Sequence, residues 1–453
     1  MSARWLVVEG DLLRGRDAIN LGAEPFDAVL SDPPYELGFM GKRWDASGVA
    51  FDPKVWLWLA THLRPGAPLL AFGGTRTHHR MMCAIEDAGF EIRDCLSWLY
   101  ASGFPKSLNI SKAIDAAAGV ERPVIGEQTL TGNAAVSTKD KGGTFGVQVG
   151  TVPPKTIALT GPATDLAKTW DGFGTALKPA WEPIVLARRP LDGTMASSVA
   201  THGVGGIAID ACRIEAQGRP AIEPGCVPGF ANIGVSAGSR AAGTTDLGRW
   251  PANVLLDEAS APMLDAQSGD RPSTLSGRAD PRAQHEHPSS AETDSWFQRG
   301  LAKGSHVYAD DGGASRFFFS SKVSTSERND GLDDLPELSA RATTGRDDDA
   351  PGNGPRAGAG RGGTAKNPHP TMKPVALTEY LARLILPPRG SGRPRRLLVP
   401  FCGVGSEMIG ALRAGWDDVV GIELNAEYAA IARLRLARCD TSHQVALFEG
   451  VGT

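Results

Sequence analysis

The sequence predicts an α/β protein built on one mainly parallel sheet. In the first hundred residues, short apolar runs alternate with helical patterns, which is typical of parallel sheets. One apolar run ends in an acid, two prolines and an aromatic residue, at residues 32–35. Residues 396–423, near the other end of the chain, show the pattern of a strand, a Gly-x-Gly turn, a helix and a second strand.

Composition limits the class of protein. The 453 residues allow about two or three domains, and the net charge of −4 means that a nucleic-acid partner requires local basic patches. Residues 341–396, with eleven Lys and Arg against four Asp and Glu, form one such patch. The six cysteines include no Cys-x-x-Cys pair, so neither a metal site nor a disulfide framework is expected. A cytoplasmic protein is expected, since the sequence shows no leader and no apolar stretch that spans a membrane.

The elements of the N-terminal part follow from the apolar pattern. Residues 55–63 predict a helix that stops before Arg64-Pro65-Gly66, and residues 77–89 predict a second helix that stops at Gly89. Strands are predicted over residues 5–8, 27–31, 69–72, 90–100 and 181–188. The last of these is expected to pair with residues 90–100.

The segment Asp32-Pro33-Pro34-Tyr35 follows a buried strand and has a rigid backbone. Proline has no N–H and a fixed φ, so the pair ends the hydrogen bonding of the strand. The Asp32 carboxylate and a proline carbonyl then offer two acceptors beside the aromatic ring of Tyr35. An exocyclic amino group on a planar base fits such a site, with the base stacked on the tyrosine. Taken alone, the segment also fits an ordinary turn after a strand.

The C-terminal part predicts half of a nucleotide-binding fold. Strand 396–400 leads into the turn Phe401-Cys402-Gly403-Val404-Gly405, and a helix over 407–413 follows. The next strand, 419–423, ends in Glu423, about twenty residues after the glycines, and precedes a helix over 426–438. The glycines permit close backbone approach, and the acid suits two ribose hydroxyls. Cys402 is interpreted as a small packing residue rather than a nucleophile.

Together these motifs resemble the amino-group DNA methyltransferases that use S-adenosylmethionine. The catalytic motif precedes the cofactor motif, an order similar to that of their permuted beta class. His369-Pro370-Thr371-Met372-Lys373-Pro374 resembles the His-Pro-Thr-x-Lys-Pro element of that class, and Gly10-Asp11 is similar to its Gly-Asp. The resemblance covers about residues 4–110, 170–192 and 365–440. It implies a circularly permuted, Rossmann-like class I methyltransferase fold with a seven-stranded sheet, in which strand 396–400 lies parallel beside 26–31.

The resemblance implies transfer of a methyl group from S-adenosylmethionine to adenine N6 in duplex DNA, with base flipping. Cytosine N4 is the alternative target. A protein glutamine methyltransferase and an inactive DNA-binding relative are further alternatives. The partner implied is double-stranded DNA, with a homodimer and a cognate restriction endonuclease left open, in a prokaryotic or phage-encoded protein.

The resemblance also assigns roles to residues. Asp32 and the Pro33 carbonyl would hold the target amine, Pro34 would stiffen the loop, and Tyr35 would stack on the base. Val399 stands where a strand-end Asp commonly holds the methionine amino group, so either another residue supplies that contact or the cofactor binds more weakly. The residues implied to bind the cofactor are Asp11, Thr371, Lys373, Pro400, Phe401, Gly403, Gly405 and Glu423.

The domain organisation is predicted from the extent of the resemblance and, for the middle of the chain, from exclusion and length. The middle of the chain exceeds any simple connection and is expected to contact DNA, with the low-complexity residues 345–366 flexible. The predicted divisions are a catalytic half (1–110), an insert (111–168), a strand returning to the sheet (169–192), a partly flexible target-recognition region (193–364), a cofactor-binding half (365–440) and a tail (441–453).

Overall fold

Strands and helices alternate along the chain. The computed structural model describes residues 4–38, 43–101, 103, 107–139, 145–216, 219–223, 240–270, 274–275, 306–307, 312–321, 331–332, 367, 372–390 and 392–449. Within these residues the strands are β1 (Arg4–Glu9), β2 (Ala28–Ser31), β3 (Pro68–Phe72), β4 (Glu91–Leu99), β5 (Val124–Lys139), β6 (Phe145–Thr160), β7 (Trp181–Arg188), β8 (Arg219–Glu223), β9 (Arg240–Thr245), β10 (Val254–Asp257), β11 (Thr274–Leu275), β12 (His306–Val307), β13 (Phe319–Ser321), β14 (Arg396–Pro400) and β15 (Asp418–Glu423).

The α-helices of the described residues connect these strands. They are α1 (Pro53–Thr61), α2 (His78–Asp87), α3 (Ile110–Ala117), α4 (Asp165–Thr169), α5 (Met195–His202), α6 (Ser260–Ser268), α7 (Val375–Leu384), α8 (Ser406–Ala414) and α9 (Ala426–Glu449). Several of these helices begin after a residue whose side chain accepts a hydrogen bond from a backbone N–H group of the first turn. The Asp52 side chain, for example, accepts from the backbone N–H of Lys54 at the start of α1.

The chain forms two compact units. The first unit comprises residues 1–100, 181–331 and 371–453, and the second comprises residues 101–180 and 332–370. The first unit contains a nine-stranded sheet in the order β1-β15-β14-β2-β3-β7-β4-β10-β13. Neighbouring strands run parallel except β7, which is antiparallel to both β3 and β4. In the second unit β5 and β6 form an antiparallel ribbon.

The sheet confirms the predicted α/β class with a mainly parallel sheet. Strand β14 lies parallel beside β2, with Leu397 opposite Ala28 and Leu398 opposite Val29. The predicted number of seven strands is wrong, because β10 and β13 extend the sheet beyond β4 to nine. Both added strands are short pieces of the region 193–364. The circular permutation of the two halves stays a prediction from the resemblance, and residues 345–366 lie outside the described residues.

Alternate side chains of β2 enter two different apolar cores, as the period of a strand requires. Ala28 and Leu30 belong to the core that includes side chains of α7 and α8. Val29 belongs to the core that includes side chains of α1 and α2. Asp32 lies two residues after Leu30 and four after Ala28. Its side chain therefore lies on the same face of the sheet as theirs, the face covered by α7 and α8.

Asp27, just before β2, connects distant parts of the chain. Its buried carboxylate accepts from Arg64 Nε at 3.0 Å and from Arg393 Nη1 at 2.5 Å. The second oxygen accepts from the backbone N–H of Arg396 at 2.7 Å. Because Arg396 is the first residue of β14, these bonds hold the start of β14 beside the start of β2.

The described residues contain no helix that is a candidate for membrane insertion. None of the helices in the described ranges combines the length and the hydropathy that a membrane span requires.

Candidate active site

The carboxyl ends of three neighbouring strands bring the predicted motifs together. Asp32 follows β2, the turn 401–405 follows β14, and Glu423 ends β15. Since these strands are parallel and adjacent, their carboxyl ends share one edge of the sheet, the usual place for a ligand crevice. The Ser31 hydroxyl donates to the Pro400 carbonyl at 3.4 Å, which connects the ends of β2 and β14.

The two oxygens of Asp32 have different environments. Oδ2 accepts a hydrogen bond from the Lys373 ammonium, with Nζ 2.9 Å away. Oδ1 is buried and has no partner among the described residues. A buried carboxylate oxygen without a donor is costly, and sites of this kind are often completed by a ligand. The side chain therefore has one oxygen in place to accept from a bound N–H group.

Tyr35 is fixed at both its backbone and its hydroxyl. The Thr77 hydroxyl donates to the Tyr35 carbonyl at 2.7 Å. The Tyr35 hydroxyl donates to Glu182 Oε2 at 2.9 Å and accepts from Lys373 Nζ at 2.9 Å. Burial and the nearby carboxylates of Asp32 and Glu182 raise the pKa of Tyr35 well above its ordinary value, so the hydroxyl keeps its proton.

Lys373 lies among Asp32, Tyr35 and Glu182. The resemblance had implied only a role in cofactor binding for this residue. Its ammonium contacts Asp32, Tyr35 and, at 3.4 Å, Glu182. It also lies 4.8 Å from the centroid of the Phe72 ring, a cation–π contact. Burial lowers the pKa of Lys373, but the charges of Asp32 and Glu182 outweigh burial and raise it. The ammonium is therefore charged at neutral pH.

Glu182 is a site residue that sequence reasoning missed. It is the second residue of β7, the antiparallel strand, and it contacts both Lys373 and Tyr35. The signal available was an acid at the start of the otherwise apolar run 181–188, next to Pro183. That signal is weak, because acids at strand ends are common.

Aromatic rings lie near these polar groups. The rings of Trp98 and Tyr100 are 5.3 Å apart, and those of His78 and Trp181 are 5.9 Å apart. Burial and the Glu182 carboxylate raise the pKa of Tyr100 to about 12, against a smaller opposite effect of Lys373. Aromatic side chains beside hydrogen-bond acceptors suit a planar base.

The Gly-x-Gly turn has a backbone conformation that most residues avoid. Gly403 and Gly405 have φ values of 51° and 83°, in the left-handed region. Phe401 also has a positive φ, 59°, which is uncommon for an aromatic residue. A side chain at Gly405 would contact Ala432 of α9 at 3.2 Å. The turn is therefore tight and close to α9.

Glu423 connects the turn to its own strand end. Oε2 accepts from the backbone N–H of Gly403, and Oε1 accepts from that of Asn425, both at 2.8 Å. Burial raises the pKa of Glu423, while these N–H groups act against the rise. Each carboxylate oxygen has a second acceptor position, so the side chain can still accept from two hydroxyls.

A second carboxyl that sequence reasoning gave no role, Glu407, lies in the first turn of α8. Its side chain is buried, and Asp32 and Lys373 act on it electrostatically. Burial, followed by the charge of Asp32, raises the pKa of Glu407 from 4.5 to about 7. The signal in the sequence was an acid among the apolar residues of 406–412, directly after the glycines.

The other predicted site residues are distributed as follows. Asp11 lies after β1, next to β15, and its Oδ1 accepts from the backbone N–H groups of Leu13 and Arg14 at 2.8 and 3.1 Å. Pro33 is buried and Pro34 is partly exposed, between Asp32 and Tyr35. Thr371 lies outside the described residues.

Cys402 packs inside the turn. It is 1% exposed, and burial together with the charges of Glu423 and Glu407 raises the pKa of its thiol well above the ordinary value. Since the thiolate is the nucleophilic form, this environment suits packing and not covalent catalysis.

Comparisons with known proteins found similarity only at the level of structure. No protein-family model and no curated protein matches the sequence. The structure of M1.HpyAVI bound to S-adenosylmethionine is 11% identical, with a TM-score of 0.35 over 95% of this chain and 98% of that chain. A putative DNA modification methylase from Thermus thermophilus, complexed with S-adenosyl-L-methionine, is 14% identical, with a TM-score of 0.33 over 96% and 93%.

A third structure is that of the cytosine-N4-specific PvuII DNA methyltransferase. It is 10% identical, with a TM-score of 0.32 over 96% of this chain and 87% of that chain. TM-scores of this size do not assign a family. Evidence for the function therefore comes from the geometry of the chain itself.

Proposed function

We propose that the chain is a DNA methyltransferase that transfers a methyl group from S-adenosylmethionine to adenine N6 in duplex DNA. The observation that supports this most directly is the position of Asp32. Its unpaired Oδ1 lies at the sheet edge that also holds the Gly-rich turn of β14 and Glu423 of β15. An acceptor for an amine and a turn suited to a nucleotide cofactor thus share one edge.

The residues at this edge fit S-adenosylmethionine. Glu423 retains acceptor positions for the ribose hydroxyls, and the positive φ values at Gly403 and Gly405 allow the backbone to approach a ligand closely. Pro400 ends β14 and Phe401 begins the turn, and Asp11 follows β1, which pairs with β15. When bound, the cofactor would supply an electrophilic methyl group.

Asp32 and its neighbours would prepare the amine. The lone pair of an exocyclic amine is delocalised into the ring, so acceptors that hold its N–H bonds favour the pyramidal, reactive nitrogen. Asp32 Oδ1 would take one N–H and the Pro33 carbonyl the other. The fixed ring of Tyr35 would stack on the base, which must leave the duplex to reach this edge.

Two targets remain within this proposal. Adenine N6 is favoured because an Asp stands at the first position of the Asp-Pro-Pro-Tyr motif, whereas Ser there is common in cytosine-N4 relatives. Cytosine N4 is the alternative, since the same acceptors would fit its amino group.

Other classes have less support. A protein glutamine methyltransferase would carry its Gly-rich motif before the Pro-Pro-Tyr motif, and here the Gly-rich turn comes last. An inactive DNA-binding relative has no need of an intact Asp32 and Tyr35, and both are present with a network of hydrogen bonds around them. Duplex DNA is the proposed partner, and a homodimer and a cognate restriction endonuclease remain predictions.

Expression in a host that lacks DNA methylation would test the proposal. Genomic DNA is hydrolysed to nucleosides and analysed by mass spectrometry, and single-molecule sequencing of the same DNA locates the modified site. N6-methyladenine is expected, and N4-methylcytosine would move the assignment to the alternative. Unmodified DNA, together with purified protein that binds S-adenosylmethionine in calorimetry, would favour the inactive relative.

A further inference from the structure

Glu407 is a buried carboxyl group that the proposed chemistry of Asp32 does not use. Its side chain is 4% exposed, in the first turn of α8. Within the described residues it forms no ion pair, unlike Asp32 and Glu182. A buried acid without a cationic partner is unfavourable, so its presence at the sheet edge requires an explanation.

The charged groups around Glu407 come from three elements. Asp32 follows β2, Lys373 precedes α7, and Arg435 lies on α9. The Lys373 ammonium is directed to Asp32, Tyr35 and Glu182. Arg435 Nη1 donates to the Val404 carbonyl at 2.6 Å and to the Ser406 hydroxyl at 3.2 Å.

The carboxylates at this edge therefore outnumber the cations. Asp32, Glu182 and Glu407 act on Lys373, Arg435 is a second cation near Glu407, and Glu423 acts with Glu407 on Cys402 of the turn. An excess of buried negative charge favours a cationic ligand. Val399, the last side chain of β14 before Pro400, is fully buried and apolar, so it supplies no acceptor for such a ligand.

We propose that the Glu407 carboxylate binds the ammonium group of the methionine part of S-adenosylmethionine. The inference rests on the proposed function. It assigns to Glu407 the contact with the methionine amino group, which the apolar side chain of Val399 cannot make. Glu407 lies two residues after Gly405, at the start of α8, directly after the turn that would line the methionine part.

Binding of the ammonium should be linked to release of a proton. Without ligand, the pKa of about 7 leaves Glu407 partly protonated at neutral pH. A bound ammonium favours the carboxylate, so the proton of Glu407 leaves to solvent as the ligand binds. Affinity should then rise with pH between about pH 6 and about pH 7.5, below the pH at which a ligand α-amino group begins to lose its own proton.

Isothermal titration calorimetry with three ligands tests the assignment. S-adenosylmethionine has both a sulfonium and an ammonium, S-adenosylhomocysteine keeps only the ammonium, and 5′-methylthioadenosine has neither. Glu407→Gln should weaken the affinity for S-adenosylmethionine and S-adenosylhomocysteine by roughly ten- to a hundredfold. The affinity for 5′-methylthioadenosine should not change. Glu427→Gln is the matched control, because Glu427 is an exposed acid in the first turn of α9.

The outcomes separate this inference from the function on which it rests. Wild-type protein that binds none of the three ligands would contradict the proposed function. Weakening of S-adenosylmethionine alone would place Glu407 at the sulfonium and overturn the ammonium assignment, as would equal affinity in Glu407→Gln and wild type. Unchanged binding of 5′-methylthioadenosine shows that the variant is folded.

Proton release gives a second measurement. Titrations in two buffers of different ionisation enthalpy at about pH 6.5 should show proton release for wild type and a much smaller release for Glu407→Gln. Equal proton release in both proteins would contradict the assignment.

Discussion

Lys373 Nζ lies 2.9 Å from Asp32 Oδ2, although 341 residues separate the two side chains along the sequence. The ammonium balances the Asp32 charge and occupies one of its oxygens. Only Oδ1 is then left for a bound amine, so the second N–H of that amine needs a different acceptor. The Pro33 carbonyl is the proposed one.

Lys373→Met should destabilise the protein. The substitution keeps the length of the side chain but leaves the Asp32 and Glu182 carboxylates without their cation. The free energy of unfolding at neutral pH should fall by about 3 kcal/mol, measured by urea denaturation. Lys168→Met is the control, since Lys168 forms an exposed pair with Asp165 and its loss should change stability little. Equal effects of the two substitutions would contradict the role of Lys373.

Tyr35→Phe should lower the free energy of unfolding by more than the loss of an exposed hydroxyl would. The ring alone would suffice for stacking, but the hydroxyl also joins Lys373 to Glu182. Its removal should lower the free energy of unfolding by about 1–2 kcal/mol. Tyr35→Ala should in addition weaken retention of the flipped base, by about 1–3 kcal/mol, in fluorescence assays with 2-aminopurine at the target position. A Tyr35→Phe protein as stable as wild type would show that the hydroxyl contacts contribute little.

Asp27→Asn should weaken the contacts that hold the N-terminal and C-terminal parts of the sheet together. An amide cannot neutralise Arg64 and Arg393, and it has one acceptor oxygen instead of two. We expect a loss of about 3 kcal/mol in the free energy of unfolding, measured with denaturant. Asp210→Asn serves for comparison, because Asp210 pairs with Arg213 while its side chain is 81% exposed. The prediction fails if both variants unfold at the same denaturant concentration.

Glu407→Gln should stabilise the ligand-free protein at high pH. The pKa of Glu407 is raised from 4.5 to about 7 in the folded chain, so folding favours the protonated form. Stability from this group is complete below about pH 4.5 and is lost as the pH rises through about 7. The variant avoids this loss and should exceed wild type by up to about 3 kcal/mol at pH 8, but not at pH 4.5. Parallel pH–stability curves for the two proteins would rule this out.

The strands of the central sheet were predictable because their side-chain patterns are local. Residues 68–72 and 397–400 are continuous apolar runs, as strands covered on both faces are. The chemistry proposed for Asp32 also required β2 and β14 to be neighbours. The added strands β10 and β13 were harder to place, since runs of four and three residues occur in loops as well.

The motifs predicted the position of the candidate site, but not its charge network. Asp32, Gly403 and Glu423 follow strands that the apolar pattern predicts, and parallel pairing brings them to one edge. The sequence signals of Glu182 and Glu407 did not point to this site, because only the folded chain shows that both acids act on Lys373. The pairing of Lys373 with Asp32 also depends on contacts between distant segments, which spacing along the sequence does not specify.

The central claim is that Asp32 holds the target amine. The most direct measurement is single-turnover transfer of tritiated methyl groups to duplex DNA by wild type and by Asp32→Ala, with Asp87→Ala, an exposed acid at the end of α2, as the control. Asp32→Ala should lose methyl transfer while keeping cofactor affinity in calorimetry, because the carboxylate acts on the reacting nitrogen. Asp87→Ala should match wild type. Wild-type turnover by Asp32→Ala would contradict the account.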